Sequence, residues 1–368
     1  MIKYLGSKRT LVPKILDTVR ALDGIISVSD LFSGTARVGH AFKAAGYRVH
    51  SNDILAYAHT LATCYVEANR NDILQTATDA ITQLNTLPGK AGFFTQTYCT
   101  QSRFFQPQNG ERIDAMRDCL DDMDLSTEAR AVVLVSLMEA ADRVDSTTGL
   151  QMAYVKQWAP RSFNPVVLRV PDVLHEAIHG KSIATCADAA DACGAVTSDL
   201  TYIDPPYNQH SYLGNYHIWE TLVRWDKPEV YGIACKRIDC RTRKSQYNTR
   251  RNFQPAMQEL LTAVTSRALL VSFNDECFMP RCLMIRLLSE LGEVHVWSTD
   301  YARYVGARIG IHNPNGDKVG VVGNLRNREQ LFLCTRAPLT AAERGVLMAQ
   351  GGWELDVQPC LNEDEQSE

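Results

Sequence analysis

Short apolar runs rich in Val and Ile alternate with stretches of helical spacing, the pattern of parallel strands joined by crossover helices. Residues 25–31 run into Asp-Leu-Phe-Ser-Gly and predict a first strand that ends in a tight turn. Residues 36–45 then have helical spacing and stop at Gly46. Residues 47–52 predict the next strand, closed by Asp53, and residues 55–84 one or two helices. Residues 86–110 look like a loop carrying aromatics (Phe93, Phe94, Tyr98, Phe104, Phe105). Ser126 is placed to cap a helix over 127–144, where Ala131, Leu134, Val135, Met138 and Ala141 recur at helical spacing and predict core packing. Strands resume at 182–187, 200–203, 268–273, 294–298 and 330–334. The last two are joined by a segment with Gly306, Gly310, Asn313, Asn315, Gly316, Gly320, Gly323 and Asn324, which resembles hairpin turns.

These elements add up to a seven-stranded α/β domain with two insertions, residues 85–180 and 208–255, of a size that in a catalytic sheet usually binds substrate. Composition agrees: 368 residues, 45% apolar and 22% charged, describe a globular chain and exclude a disordered tail, a collagen or a disulfide miniprotein. No run approaches 18 consecutive apolar residues and no signal peptide follows Met1, so a cytoplasmic protein without membrane contact is expected. Eleven scattered cysteines with no CxxC predict free thiols and no metal site. The net charge of -4 hides an uneven distribution. Between Arg224 and Arg251 stand nine basic residues against Asp226, Glu229 and Asp239. Acidic stretches at 111–128 and 363–368 read as solvated faces.

The strongest chemical signal is Asp204-Pro205-Pro206-Tyr207, directly after the apolar strand 200–203. Two prolines make the turn rigid, and ligands of open α/β sheets bind at the carboxyl ends of strands. There the Asp204 carboxylate and the Pro205 carbonyl offer two acceptors to one amino group, and the Tyr207 ring a stacking face. That set suits the exocyclic amine of a flipped base, which has two donors and a π-face. A second signal is Asp30-Leu31-Phe32-Ser33-Gly34-Thr35 at the end of the first strand, with Asp53 at the end of the second. The glycine allows close approach to a ligand and the acid is spaced to meet ribose hydroxyls. Neither GxGxxG nor GxxxxGK[ST] occurs, which favours a nucleoside cofactor without a pyrophosphate. A third element is Lys3-Tyr4-Leu5-Gly6-Ser7-Lys8.

Taken in order, Tyr4-Leu5-Gly6-Ser7-Lys8, Asp30-Leu31-Phe32-Ser33-Gly34-Thr35, Asp53 and Asp204-Pro205-Pro206-Tyr207 resemble the Dam-type, alpha-group adenine-N6 DNA methyltransferases. Asn215-Tyr216-His217-Ile218-Trp219-Glu220 and Val271-Ser272-Phe273-Asn274 are similar to segments of type II modification methylases of that group. The resemblance spans about residues 1–60 and 180–335, and implies a Rossmann-like fold with a seven-stranded mixed sheet and a helical recognition insertion. Residues 1–84 and 181–340 would form the catalytic domain, 85–180 the insertion, 208–255 a basic DNA-contacting loop and 341–368 a tail.

The resemblance further implies S-adenosylmethionine as cofactor and double-stranded DNA as partner. Tyr4, Gly6, Ser7 and Lys8 would line the methionine end, within a cofactor set that also takes in Asp30, Phe32, Ser33, Gly34 and Thr35. Asp53 would accept from the ribose, Asp188 would meet the adenine ring, and Asp204 would touch both cofactor and target. Ala36 stands where the family often has a second glycine, and its methyl is expected to crowd the cofactor. Lys236, Arg237, Arg241, Arg243, Lys244, Tyr247, Arg250 and Arg251 are the candidate DNA contacts. Gln101, Arg103, Gln106, Gln108 and Asn109 are alternative base readers in the insertion. His217 reads as structural more readily than as a proton shuttle. The expected state is a monomer, with a cognate restriction endonuclease as a candidate companion. Two other readings stay open: methylation of cytosine N4, and a DNA-binding homologue with a decayed site.

Overall fold

A computed structural model of the chain describes residues 1–302, 326–350 and 354–355. Ten strands are described: β1 Ser27–Asp30, β2 Arg48–Asn52, β3 Ile183–Thr185, β4 Leu200–Ile203, β5 Val230–Tyr231, β6 Lys236–Arg237, β7 Ala268–Asn274, β8 Glu293–Ala302, β9 Arg326–Thr335 and β10 Glu354–Leu355. Strands β1, β4 and β7 are buried along their whole length; β4 and β7 accordingly read as mostly apolar runs without alternation, whereas β1 buries Ser27, Ser29 and Asp30 beside Val28. Eight strands make one sheet in the order β10-β8-β9-β7-β4-β1-β2-β3, while β5 and β6 form a separate hairpin. From β3 to β7 the pairings are parallel, and β9, β8 and β10 add antiparallel neighbours. The mixed α/β sheet is thus the expected one, enlarged by β10.

The extra strand falls in the stretch expected to be a tail. It covers the outer edge of β8, with Glu354 opposite Ser298 and Leu355 opposite Trp297. The same stretch contains a helix, Ala341–Ala349, started by a reciprocal cap in which Thr340 accepts from the Glu343 amide and Glu343 from the Thr340 amide. The Gly- and Asn-rich segment and the acidic residues 363–368 lie outside the described residues.

Strand order reverses between β1 and β4, which pair with each other while β2 and β3 continue to one side and β7 to the other. The crevice at their carboxyl ends is where such a sheet binds ligands.

The crossover from β2 to β3 carries the helices Ala56–Ala62, Arg70–Thr86, Pro107–Asp121 and Thr127–Val144. Ser126 caps the last of these by accepting from the Ala129 amide. This helical region shares one hydrophobic core with the sheet: Val133, Leu137, Phe94 and Phe105 belong to the same buried cluster as Val28, Val49 and Leu200. The aromatic segment expected to be a loop is helical over Phe93–Gln101, its second turn widened to π geometry. Asp114 holds its start, accepting from the amides of Gly92, Phe94 and Thr95 and from the Thr95 hydroxyl, and Phe94, Tyr98, Phe104 and Phe105 are buried.

Nine cysteines are free thiols, as expected, and Cys282 departs from that expectation in being disulfide-bonded.

Candidate active site

The turn after β1 is built on Gly34, whose φ of 51° is left-handed and whose missing Cβ would stand 3.2 Å from the Tyr4 ring. Its amide donates to Asp53 Oδ2 at 2.9 Å, and Asp53 Oδ1 accepts from the Leu55 amide at 3.0 Å. The carboxyl at the end of β2 therefore shapes the turn at the end of β1. Burial pushes Asp53 up to about 6, against the opposing pull of those amides.

Asn52 ties in a third loop. Its Nδ2 donates to the carbonyls of Leu31 and Ala187, and its Oδ1 accepts from the Thr185 hydroxyl and the Ala187 amide. Next to it, Asp188 caps the helix Ala189–Ala195 through the Ala190 amide. The N-terminal segment closes over these loops. Gly6, at φ 73°, turns the chain so that Tyr4 stacks on Tyr212 and Tyr216, with ring centroids 5.2 and 4.6 Å away.

Beyond β4, the rigid turn presents Asp204 to a buried ion cluster. Lys8 Nζ lies 3.1 Å from Asp204 Oδ1 and 3.4 Å from Glu329 Oε2 on β9. Asn274 at the end of β7 donates to the other Glu329 oxygen at 3.4 Å. Lys8 also stands 5.8 Å over the Tyr207 ring. Burial raises Asp204 to about 6; Lys8 works against the rise and Glu329 adds to it. Asp30 is 1% exposed and uses one carboxyl oxygen, on the Gly39 amide, while Oδ1 has no hydrogen-bond partner. Burial first, then the Asp204 charge, lifts it to about 8.

All these loops surround one cavity of about 350 Å³. Tyr4, Gly6, Ser7, Lys8, Asp30, Phe32, Ser33, Gly34, Thr35, Asp53, Asp188 and Asp204 all line it, as does Pro206. Pro205 is buried under the turn and Tyr207 is half-buried beside the ion cluster. Ala36 does not crowd the cavity: it is fully buried, packs into the core and starts the helix Arg37–Ala44 at a left-handed φ of 58°.

The basic insertion divides. Arg237 is corrected from a DNA contact to a structural residue: it is 2% exposed, and its guanidinium is held by Asp226 and Asp239. Tyr247 is likewise turned inward, edge-on to Phe32 and Phe253, with its hydroxyl donating to the Ala256 carbonyl, and it lines the cavity. Arg243 also lines the cavity, paired with Glu220 and Asp239, and Lys244 joins it at the rim. Arg241 lies over Tyr231 with its charge in solvent, Arg250 and Arg251 are exposed, and Lys236 is half-buried. In the larger insertion, Asn109 is spent internally on the Ser162 and Asn164 carbonyls and the Val166 amide. Gln106 is buried, while Gln101, Arg103 and Gln108 are exposed. His217 is fully buried with Nε2 2.9 Å from the Gln151 carbonyl, and burial lowers it to about 3, which suits a structural residue.

Sequence reasoning missed Asn52, Glu220 and Glu329. Glu220 is fully buried between the Tyr57 amide and Arg243. An acid in an apolar helical stretch such as 217–224 is a usable signal for such a role, whereas Glu329 carries none.

Comparison with known proteins gives the same picture. The chain is 29% identical over 327 residues to modification methylase StsI of Streptococcus sanguinis, covering 84% of this chain and 50% of that protein. It is 27% identical over 316 residues to type II methyltransferase M.NlaIII of Neisseria lactamica, covering 82% and 92%. It is 30% identical over 293 residues to type II methyltransferase M.FokI of Planomicrobium okeanokoites, covering 75% and 45%. The chain therefore spans about half the length of the StsI and FokI relatives and nearly all of the NlaIII one. Residues 4–273, which hold every motif set around the cavity, match the family model for D12 class N6 adenine-specific DNA methyltransferases, and the chain belongs to that family.

Proposed function

We propose that this chain transfers a methyl group from S-adenosylmethionine to the N6 amine of adenine within a short site in double-stranded DNA. The observation that carries the reading is the convergence of the Asp204 turn and eleven other motif residues on one cavity at the strand-order reversal. The motif order, with the cofactor loops preceding Asp204-Pro205-Pro206-Tyr207, supports a Dam-type, alpha-group arrangement.

The cavity residues fit the cofactor. Asp30 Oδ1, buried and without a partner, suits the methionine ammonium; the remaining lone pairs of Asp53 suit a ribose diol, and Asp188 an adenine edge. When bound, S-adenosylmethionine supplies an electrophilic methyl on a sulfonium. The protein's task is to make a poor nucleophile reactive, because the N6 lone pair is delocalised into the purine ring. Accepting hydrogen bonds at Asp204 and the Pro205 carbonyl favours tetrahedral nitrogen and stabilises the positive charge that develops there. Asp204, raised to about 6, is also the base for the proton that N6 then sheds. Stacking on Tyr207 offsets part of the cost of unstacking the base.

Incubation with tritiated S-adenosylmethionine and unmethylated phage DNA, followed by nucleoside separation, tests this directly. Label in N6-methyladenine is expected; label in N4-methylcytosine, or none, overturns the reading.

Lys236, Arg241, Lys244, Arg250 and Arg251 are the proposed phosphate track. Arg251→Ala should leave the melting temperature unchanged and reduce the slope of log affinity against log salt by about one. Arg237→Met should do the reverse, costing about 2 kcal/mol of stability with no change of slope. A monomer is the proposed working state, since each adenine needs one site, and a cognate endonuclease is the proposed companion. Among the described residues no helix is long and apolar enough to cross a membrane.

A further inference from the structure

Two carboxylates, buried Glu329 and Asp204 at the cavity wall, share the single ammonium of Lys8, and only one of them belongs to the catalytic turn. Lys8 is 6% exposed, and Glu329, three strands away from β1 in the sheet, is 5% exposed. Burial by itself lowers Lys8; Asp204 and then Glu329 hold it well above its ordinary value, so the ammonium stays charged. The cluster therefore carries one positive charge against two acids.

The contact of Lys8 with Asp204 Oδ1 at 3.1 Å takes up one of the two carboxylate oxygens and draws charge away from the group that is to accept from an incoming amine. An ammonium leaving that oxygen inside a buried site must find another anion at once, or bear the cost of an unpaired buried charge. Glu329 Oε2 is already 3.4 Å away, and Asn274, on its other oxygen, helps to keep the carboxylate facing Lys8.

We infer that Glu329 is a positioning residue for the proposed methyl transfer: it gives Lys8 a second seat, so that Lys8 releases Asp204 when the exocyclic amine of the target base enters. The inference rests on the proposed function. With both seats present, exchange of Lys8 for the amine costs little, because the ammonium never leaves an ion pair. Without Glu329, Lys8 stays on Asp204 and the base must displace it against the full attraction.

The groups that face Asp204 are Lys8, Glu329, Asp30, Tyr202, Tyr207 and Tyr212. Of these, Glu329 is the one whose removal both frees Asp204 from a repelling charge and strengthens its hold on Lys8.

Glu329→Gln is the test. It keeps the side-chain shape and the excess negative charge disappears, so the fold is expected to hold. At pH 8 on unmethylated phage DNA, kcat should fall about tenfold with KM for DNA and for S-adenosylmethionine within about twofold. The acid limb of the kcat profile should move to lower pH, because Glu329 no longer raises Asp204. Glu329→Asp, which keeps the charge, should recover much of the rate. In a Lys8→Met background, where no ammonium needs a seat, adding Glu329→Gln should not change kcat further at pH 8. That pair also removes both charges together, so it keeps the test open if the single variant folds poorly. An unchanged kcat and acid limb in Glu329→Gln, or an undiminished effect in the Lys8→Met background, overturns the inference while leaving the proposed function standing. Absence of N6-methyladenine from the unsubstituted enzyme sinks the function itself.

Discussion

Asp204→Ala is expected to lower methyl transfer to DNA by at least about a thousandfold while the fold and cofactor binding survive. The carboxylate is the charged member of the acceptor pair that the double-proline turn presents, and the Pro205 carbonyl cannot replace it. Nor does its loss strand the buried ammonium, because Lys8 keeps Glu329 at 3.4 Å. The binding groups assigned to the cofactor's ammonium, ribose and adenine sit at the ends of β1, β2 and β3, whereas Asp204 follows β4; Asp30 alone of them feels the Asp204 charge, whose loss lets the Asp30 carboxyl ionise more readily for the ammonium. Calorimetry with S-adenosylmethionine should therefore show an affinity within a few fold of the unsubstituted enzyme, and single-turnover labelling of DNA should show almost nothing. Transfer within tenfold of the parent would remove Asp204 from the chemistry.

The second large effect is on stability and its dependence on pH. Asp30 is raised to about 8 in the folded chain and has an ordinary carboxylate value near 3.8 when unfolded. Between those values the folded state binds the proton and the unfolded state does not. The stability contributed by Asp30 is therefore greatest at acid pH, and it is lost as pH rises through the window up to the folded value. Below about pH 6.5 other groups interfere: His50 and His217 are lowered by burial to about 4 and about 3 and contribute with the opposite sign, while Asp53 and Asp204 also titrate there. Lys43, lowered to about 8, takes over above that value.

From pH 6.5 to 8 the contribution of Asp30 is read as the difference between the parent and Asp30→Asn, because His40, His50, His59, His217 and His295, all lowered by burial, gain stability there as their unfolded forms lose protons. Relative to Asp30→Asn, the ligand-free protein should lose about 1.5 kcal/mol across the interval, since the slope of roughly 1.4 kcal/mol per unit for one proton halves at the folded value. Asp30→Asn should remove that loss from the melting profile over the same interval and weaken S-adenosylmethionine binding by about a hundredfold, since the proposed ammonium partner is gone. In the unsubstituted enzyme that binding should tighten with pH, because the cation needs the carboxylate. Thermal melts of both proteins at four pH values decide it: parallel profiles for the parent and Asp30→Asn contradict the assignment.

Much of this site was readable from the chain because ligands meet a parallel sheet at the carboxyl ends of its strands, and the short apolar runs mark roughly where those ends lie. Asp30 closes β1, Asp53 and Asp204 directly follow β2 and β4, and Asp188 stands three residues past β3. Where reading failed, the cause was pairing at long range. The charge excess of the 224–251 stretch is visible in the sequence, but nothing local distinguishes Arg237, locked on Asp226 and Asp239, from Arg251 in solvent. Glu329 reaches the site only through the antiparallel placement of β9 beside β7, opposite Asn274. Residues 93–101 lost their helical signature because a π-widened turn breaks the 3.6-residue period, and the Asp114 cap lies more than a dozen residues downstream. The edge strand β10 is two residues long, below what alternation can reveal.

The clamp made by Asn52 also has a consequence in time. Its partners Thr185 and Ala187 follow it by 133 and 135 residues. A ribosome adding about 5–20 residues per second needs on the order of ten seconds to make that stretch. Throughout that interval the turn at Gly34 and Asp53 already exists as chain, while the loop that must be tied to it does not. The helices between them are all synthesised before β3 arrives to close that flank. A nascent enzyme is thus blind to its methyl donor until at least half of it has been made, and the late closing of that one asparagine's hydrogen bonds marks the moment at which binding can begin to help folding.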